Sequence, residues 1–225
     1  VGPVLKRCVA SGVPIIGNFG AANPFGAAKK LHALAKEQGI SGLRVAVVDG
    51  DDLRENLRGL RTRPWGNEKP LDLANTEILA ANVYMGSQPI ADALDQNPHI
   101  VVTGRVTDSA LTLGPLMHHF GWAADDWAKM AAGVLAGHLL ECGSQITGGY
   151  HADPGRKNVS RMAEIGFPIA EVEEDGSLVI TKPVGSGGVV NTRTVKEQIL
   201  YELDDPRNYL TPDVTLDITD VEVEQ

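Results

Sequence analysis

Cysteine is nearly missing from this chain: 225 residues hold only Cys8 and Cys142. They lie far apart and form no C-x-x-C pair, which excludes a disulfide framework and the usual zinc spacings. A reducing, cytoplasmic setting is the expectation. No apolar run reaches the roughly 18 residues that a membrane-spanning helix needs, and no secretory signal is visible. Basic blocks are absent too. Lys plus Arg number 20 against 29 Asp plus Glu, a net charge of −9. Such a chain is poorly suited to nucleic acid or an anionic membrane surface, although a local arginine or backbone amides still suit a small anionic ligand. The nucleotide signatures G-x-G-x-x-G and G-x-x-x-x-G-K-[ST] are missing, as are the G-x-S-x-G elbow and H-E-x-x-H. The chain opens at Val1 without an initiator methionine, inside what reads as the end of a helix, Val4–Ala10. The expectation is one α/β domain over 1–225, a fragment of a longer protein.

What is present is an alternation of short apolar runs and helical patterns. Val13–Ile16, Leu43–Val48 and Ile100–Thr103 read as strands. Pro24 to about Gln38 reads as a helix, with Asn23 as N-cap, Pro24 in the first turn and Gly39 as the stop. A helix begins near Leu53, with Asp51 as its cap; the alternative is that the acidic run Asp49-Gly50-Asp51-Asp52 holds Mg²⁺. Residues 61–72 read as a long loop with the character of a lid. Glu77–Met85 is ambiguous between strand and helix, and Pro89–Leu94 is helical. Repeats of strand, helix and strand predict an α/β fold: a mainly parallel sheet with helices on both faces, built from βαβ units. Asp-Gly at 175–176 adds a small β-hairpin between Pro168–Val172 and Leu178–Thr181. Thr194 and Glu197 form a T-x-x-E capping box for a helix to about Leu203. Leu216–Glu224 reads as a last strand.

Residues 100–150 carry most of the unusual chemistry. Gly104 breaks the Ile100–Thr103 run, and Arg105, Asp108 and Ser109 follow where open α/β sheets place ligands. A helix over about 125–142 puts Trp127, Ala131, Val134 and His138 on one stripe, continued by Glu141 and Cys142. His138 and Glu141, three apart, can meet on that apolar face. A structural ion pair reads the same way, since structural pairs and site residues look alike in sequence. Gly133 and Gly137 cost about 1 kcal/mol each in a helix against alanine, so close packing against another backbone is the expected reason for two. Three glycine-bearing loops are candidate ligand cradles: Asn18, Gly20 and Asn23 at a helix N-terminus; Gly148 and Gly149; and Lys182 with Gly185, Gly187 and Gly188. Ordinary turns need the same residues. Arg105 suits a carboxylate or thioester oxygen, and His138 suits general acid/base work oriented by Glu141. His138, Glu141 and Asp49 are suitable metal ligand types, but no spacing fixes them around one ion, so no metal site is assigned and a divalent metal stays open. Cys142 as a nucleophile is a weaker option.

NFGAANP, LRVAVVDGDD, IVVTGRVTDSAL, WAKMAAGVLAGHLLECGSQITGGY, GFPIAEV, ITKPVGSGGVV and YLTPDV follow one another in this order. Together they resemble the acyclic terpene utilisation family AtuA, long a domain of unknown function, over nearly the whole chain. The resemblance implies a cytoplasmic protein of citronellol and geraniol catabolism working on CoA thioesters, and a lyase acting on a branched hydroxyglutaryl-CoA has been proposed for the family. It assigns no catalytic residues. One expectation is therefore an enzyme on a branched acyl-CoA using Arg105, Asp108, His138 and Glu141, with CoA phosphates at Lys182 and Gly185–Gly188. The other is a non-catalytic partner subunit of an acyl-CoA carboxylase or lyase, or a homo-oligomer.

Overall fold

The computed structural model describes residues 1–63, 73 and 77–225. The chain divides into two compact units. Unit one is Val1–Met85 with Asp92–Val106, and unit two is Gly86–Ala91 with Thr107–Gln225. No helix among the described residues is long and apolar enough to cross a membrane.

Unit one is built on three parallel strands, β1 (Ile15–Gly17), β2 (Val45–Val48) and β3 (Ile100–Thr103), in the order β1-β3-β2. Ile100 faces Ile15 on one side and Val45 on the other. Ile100 and Val102 point to one face and Val101 to the other, and all three are fully buried. That two-sided burial is why β3 is a continuous apolar run rather than an alternating one. Leu5 of α1 (Gly2–Ser11) and Leu31 and Ala35 of α2 (Pro24–Glu37) pack on the Ile100 face with Leu43. Asn23 caps α2 by accepting the Gly26 N–H at 2.8 Å.

Unit two is a helix pair with two hairpins. α4 (Ala110–Phe120) and α5 (Trp127–Leu140) pack against each other, α6 (Thr192–Ile199) lies on α5, and the hairpin β4 (Ile169–Val172) and β5 (Leu178–Thr181) pairs as expected around Asp175-Gly176. A second, shorter hairpin joins β6 (Tyr209–Leu210) to β7 (Thr215–Leu216). The core gathers Leu113, Met117, Trp122, Met130, Val134, Leu139, Val195 and Ile199. α3 (Gln88–Leu94) contributes Ala91 to it. Close approach of α4 and α5 needs the two glycines: a methyl group at Gly133 would sit 2.5 Å from Leu113 Cδ1, and one at Gly137 would sit 2.5 Å from the Ser109 Cα and 2.7 Å from its carbonyl oxygen.

Several expectations are corrected. No helix starts at Leu53. The buried Asp51 carboxylate accepts from Asn82 Nδ2 at 2.7 Å instead of capping, and Asp52 takes the Arg54 N–H in a local turn. Glu77–Met85 is neither helix nor strand; Asn82 and Met85 make isolated bridges to Asp52 and Val106. α4 has no counterpart in the sequence reading, because Gly114 and Pro115 sit inside it. Trp127 is 66% exposed, since it begins α5 and its face of the first turn is open; Cys142 is exposed as well, past the end of the helix. α6 is capped by Asn191, whose side chain accepts the Arg193 and Thr194 N–H groups, so Thr194 is the third residue of the helix and not its cap. The Asn191 Oδ1 accepts both amides at once, and Glu197 pairs instead with His151 and Lys157. The last strand shrinks to Thr215–Leu216, because only Tyr209–Leu210 offers it a ladder. Most of the expected lid, 64–72, lies outside the described residues.

The two glycines should not be equivalent. Gly137→Ala meets rigid backbone and is expected to cost about 1–3 kcal/mol, the range for overpacked cores. Gly133→Ala meets the end of a leucine side chain that can turn away, and should cost less. Urea denaturation of both variants checks the order.

Candidate functional site

In unit one the three parallel strands end on the same edge of the sheet, where ligands gather in open α/β folds. Asn18, Asp49 and Gly104 begin the three loops there. The loops are packed against each other through glycine. A side chain at Gly20 would collide with the Thr103 carbonyl oxygen, and one at Gly104 with the Asp51 carboxylate. Gly20 and Gly104 thus hold the loop ends together, and Asn23 is occupied as a helix cap. The Arg105 guanidinium lies over the Tyr84 ring, 5.9 Å from its centre, a stacked arrangement natural to arginine.

In unit two the structure brings Asp108, His138 and Glu141 together with Cys142, the weaker nucleophile candidate, and adds Glu202, Tyr201 and Tyr209, which the sequence reading did not assign to a site. The approach of Ser109 to Gly137 sets the start of α4 beside the last turns of α5. His138 is buried, with Nε2 3.1 Å from the Ile199 carbonyl oxygen. A carbonyl can only accept, so Nε2 carries the proton and Nδ1 presents its lone pair. Tyr209 Oη lies 3.4 Å from Nδ1 and donates to it, and Glu141 Oε1 lies 3.8 Å away. The Gln198 side-chain amide donates to the His138 carbonyl at 3.0 Å, fixing the turn that carries the imidazole. Burial pulls the His138 pKa down, against the opposing pull of the Ile199 and Gln198 backbone and the Glu202 charge. The imidazole is thus held neutral.

Glu141 is the most perturbed carboxyl of the group. Burial first, then the charges of Asp108 and Glu202 and a hydrogen bond with Asp108, push it up to about 7. Two carboxyls in hydrogen-bond contact cannot both ionise readily, so Glu141 holds its proton against the neighbouring Asp108 charge. The same environment pushes Tyr209 up to about 12, through burial and the charges of Glu141, Asp108 and Glu202. It keeps its proton and remains a donor. Burial and the three carboxylates also raise the Cys142 thiol, which opposes the thiolate a nucleophile needs. Cys142 and Glu202 both adopt left-handed backbone, φ 55° and 56°, which is uncommon for residues with a side chain. The Ser109 hydroxyl, next to Asp108, is buried with no hydrogen-bond partner among the described residues.

The glycine loops proposed as ligand cradles are held by their own hydrogen bonds. Gly148 and Gly149 N–H donate to the Gln145 and Ser144 carbonyls, and Gly187 and Gly188 N–H to those of Glu164 and Ser160. Lys182 Nζ donates to the Ser186 carbonyl at 3.0 Å, and Gly185 holds the loop in a left-handed turn at φ 79°. Among the described residues no three His, Cys, Asp or Glu side chains are grouped so as to hold a metal ion.

A carboxyl raised in the folded state stabilises the fold below its unfolded pKa, and that contribution is lost as pH rises through the folded value. For Glu141 the window runs from about 4.5 to about 7. Glu141→Gln has no such proton to lose. Measured by urea denaturation across that window, its stability relative to the parent protein should rise with pH; a constant difference would contradict the raised carboxyl.

No curated protein and no solved structure matches the chain. A family model does, over residues 1–225, under the description acyclic terpene utilisation family protein AtuA. The match spans every residue discussed above, and the chain belongs to the acyclic terpene utilisation family AtuA.

Proposed function

We propose that this protein is an enzyme of citronellol and geraniol catabolism that acts on a branched acyl-CoA, in the manner of a hydroxyacyl-CoA lyase. The observation that carries the reading is the Asp108–Glu141 pair, with one carboxyl raised to about 7 beside a buried neutral histidine. An acid–base group works best when its pKa lies near the working pH, and active sites are where burial and like charges are arranged to shift a pKa in this way. Cleavage of a tertiary 3-hydroxyacyl thioester needs a base to take the hydroxyl proton. The carbon–carbon bond then breaks, its electron pair passes to the carbon that becomes an enolate, and a proton returns there. The carboxyl pair can accept the first proton and give one back. The hydrogen-bonded His138 and Tyr209 stand beside it, and the Ser109 hydroxyl, unpartnered among the described residues, is a natural contact for a polar substrate atom. Arg105 is assigned to carboxylate or thioester recognition by its chemistry alone.

The second reading, a non-catalytic partner of a carboxylase or lyase, draws on the apolar surface of unit two, where Phe167 is 68% exposed and Val184 wholly so. The pure protein incubated with a branched 3-hydroxyacyl-CoA separates the two. Turnover is expected, rising with pH through a midpoint near 7. His138→Ala and Glu141→Gln should each lower kcat by about 10²–10⁴-fold, the usual worth of a positioned acid or base. Full activity in the His138 variant would remove that residue from the chemistry. No turnover, together with co-purification of a carboxylase or lyase, would favour the partner reading.

A further inference from the structure

Away from the Asp108–Glu141 pair, unit two holds two neighbouring cavities of opposite character. One, of about 360 Å³, is lined mostly by apolar side chains of α5, β5 and α6, among them Leu135, Leu139, Leu178, Ile180, Val195 and Ile199, and also by residues 221–225, which include Glu222 and Glu224. The other, of about 540 Å³, is polar and lined by His151, Arg156, Lys157 and Arg193 together with Asn158 and Ser160. Asn191, Thr192 and Gln225 line both, so the two chambers meet at the start of α6. Both volumes fall in the range of small-molecule sites, about 300–1,000 Å³.

The polar chamber is cationic in a chain whose net charge is −9. No Asp or Glu side chain is in its lining. Glu197 stands next to it and is already engaged, accepting from Lys157 Nζ at 2.9 Å and from His151 Nδ1 at 2.8 Å. Burial opposes ionisation of Glu197, but these hydrogen bonds outweigh it and lower its pKa. The carboxylate thus neutralises Lys157 and leaves the two arginines. Arg156 and Arg193 side chains make no ion pair or hydrogen bond among the described residues. Two unpaired guanidinium groups match a phosphate, whose oxygens they meet in pairs. The first turn of α6 adds the positive end of its dipole.

We propose that this double chamber binds an amphiphile with a phosphate head in the Arg156–Arg193 chamber and an apolar tail in the chamber beneath β5 and α6. The assignment shares no residue with the Asp108–Glu141–His138 cluster, so either can fail without the other. The test uses calorimetric titration of the whole chain with inorganic phosphate, octyl phosphate, geranyl phosphate and geraniol at low salt. An alkyl phosphate should bind at least tenfold more tightly than phosphate or geraniol, and more weakly as salt rises. The double variant Arg156→Glu, Arg193→Glu alters exposed side chains and should keep the parent's urea midpoint while losing at least tenfold in alkyl phosphate affinity. Filling the tail chamber with Val195→Leu should weaken octyl phosphate and leave inorganic phosphate unchanged. Octyl phosphate binding in this pattern without geranyl phosphate binding would support the site and count against the terpenoid tail alone. Alkyl phosphates that bind no better than inorganic phosphate, or that bind the charge-reversed variant equally well, would overturn the proposal.

Discussion

The approach of α4 to α5 at Gly137 is the constraint on which unit two depends. A glycine there lets the backbone of Ser109 lie against the helix, at a distance that no side chain tolerates. Asp108 precedes Ser109, and Glu141 lies one turn beyond Gly137. The same contact that packs the helices therefore places two carboxyls in hydrogen-bond contact. Their proximity, added to burial, is what lifts Glu141 toward neutral pH. Packing and chemistry here have a single cause, and the stability lost by ionising Glu141 is the counterpart of its reactivity.

Around that pair the neighbours fall into roles set by their protonation. His138 is buried and neutral, with its Nε2 proton committed to a backbone carbonyl. Tyr209 keeps its proton and points at the remaining nitrogen. Two left-handed residues, Cys142 and Glu202, carry the chain through the cluster. Unit one relies on the same device, glycine at close approach: Gly20 and Gly104 let the loops after β1, β2 and β3 crowd together at the carboxyl edge of the sheet.

Much of the fold was legible in the sequence, for identifiable reasons. β3 was marked by a four-residue apolar run between His99 and Gly104, and α2 by Asn23-Pro24 at its start and Gly39 at its end. The Asp175-Gly176 turn located the hairpin to within a residue. α4 was hidden because Gly114 and Pro115 interrupt its pattern, although both are tolerated where the helix is packed. Thr194 was misread as a cap because the helix starts one turn earlier, with Asn191 capping the Arg193 and Thr194 amides. Of the candidate site, His138 and Glu141 were legible from their i, i+3 spacing on an apolar helix. Glu202 and Tyr209 were not, because they reach the cluster through tertiary folding from more than 60 positions away in sequence. Gly148, Gly149, Gly187 and Gly188 were visible as loops, but their amides turned out to donate to carbonyls of neighbouring turns, a pairing that sequence does not display.

The most direct measurement of this account is a carbon-13 NMR titration of the glutamate carboxyls, with Glu141 assigned by its absence in Glu141→Gln. A midpoint near 7 for Glu141, falling when Asp108 is replaced by asparagine, is the predicted result. An ordinary midpoint near 4.5, unmoved by Asp108→Asn, would contradict it, and with it the raised Glu141 carboxyl on which the proposed chemistry rests.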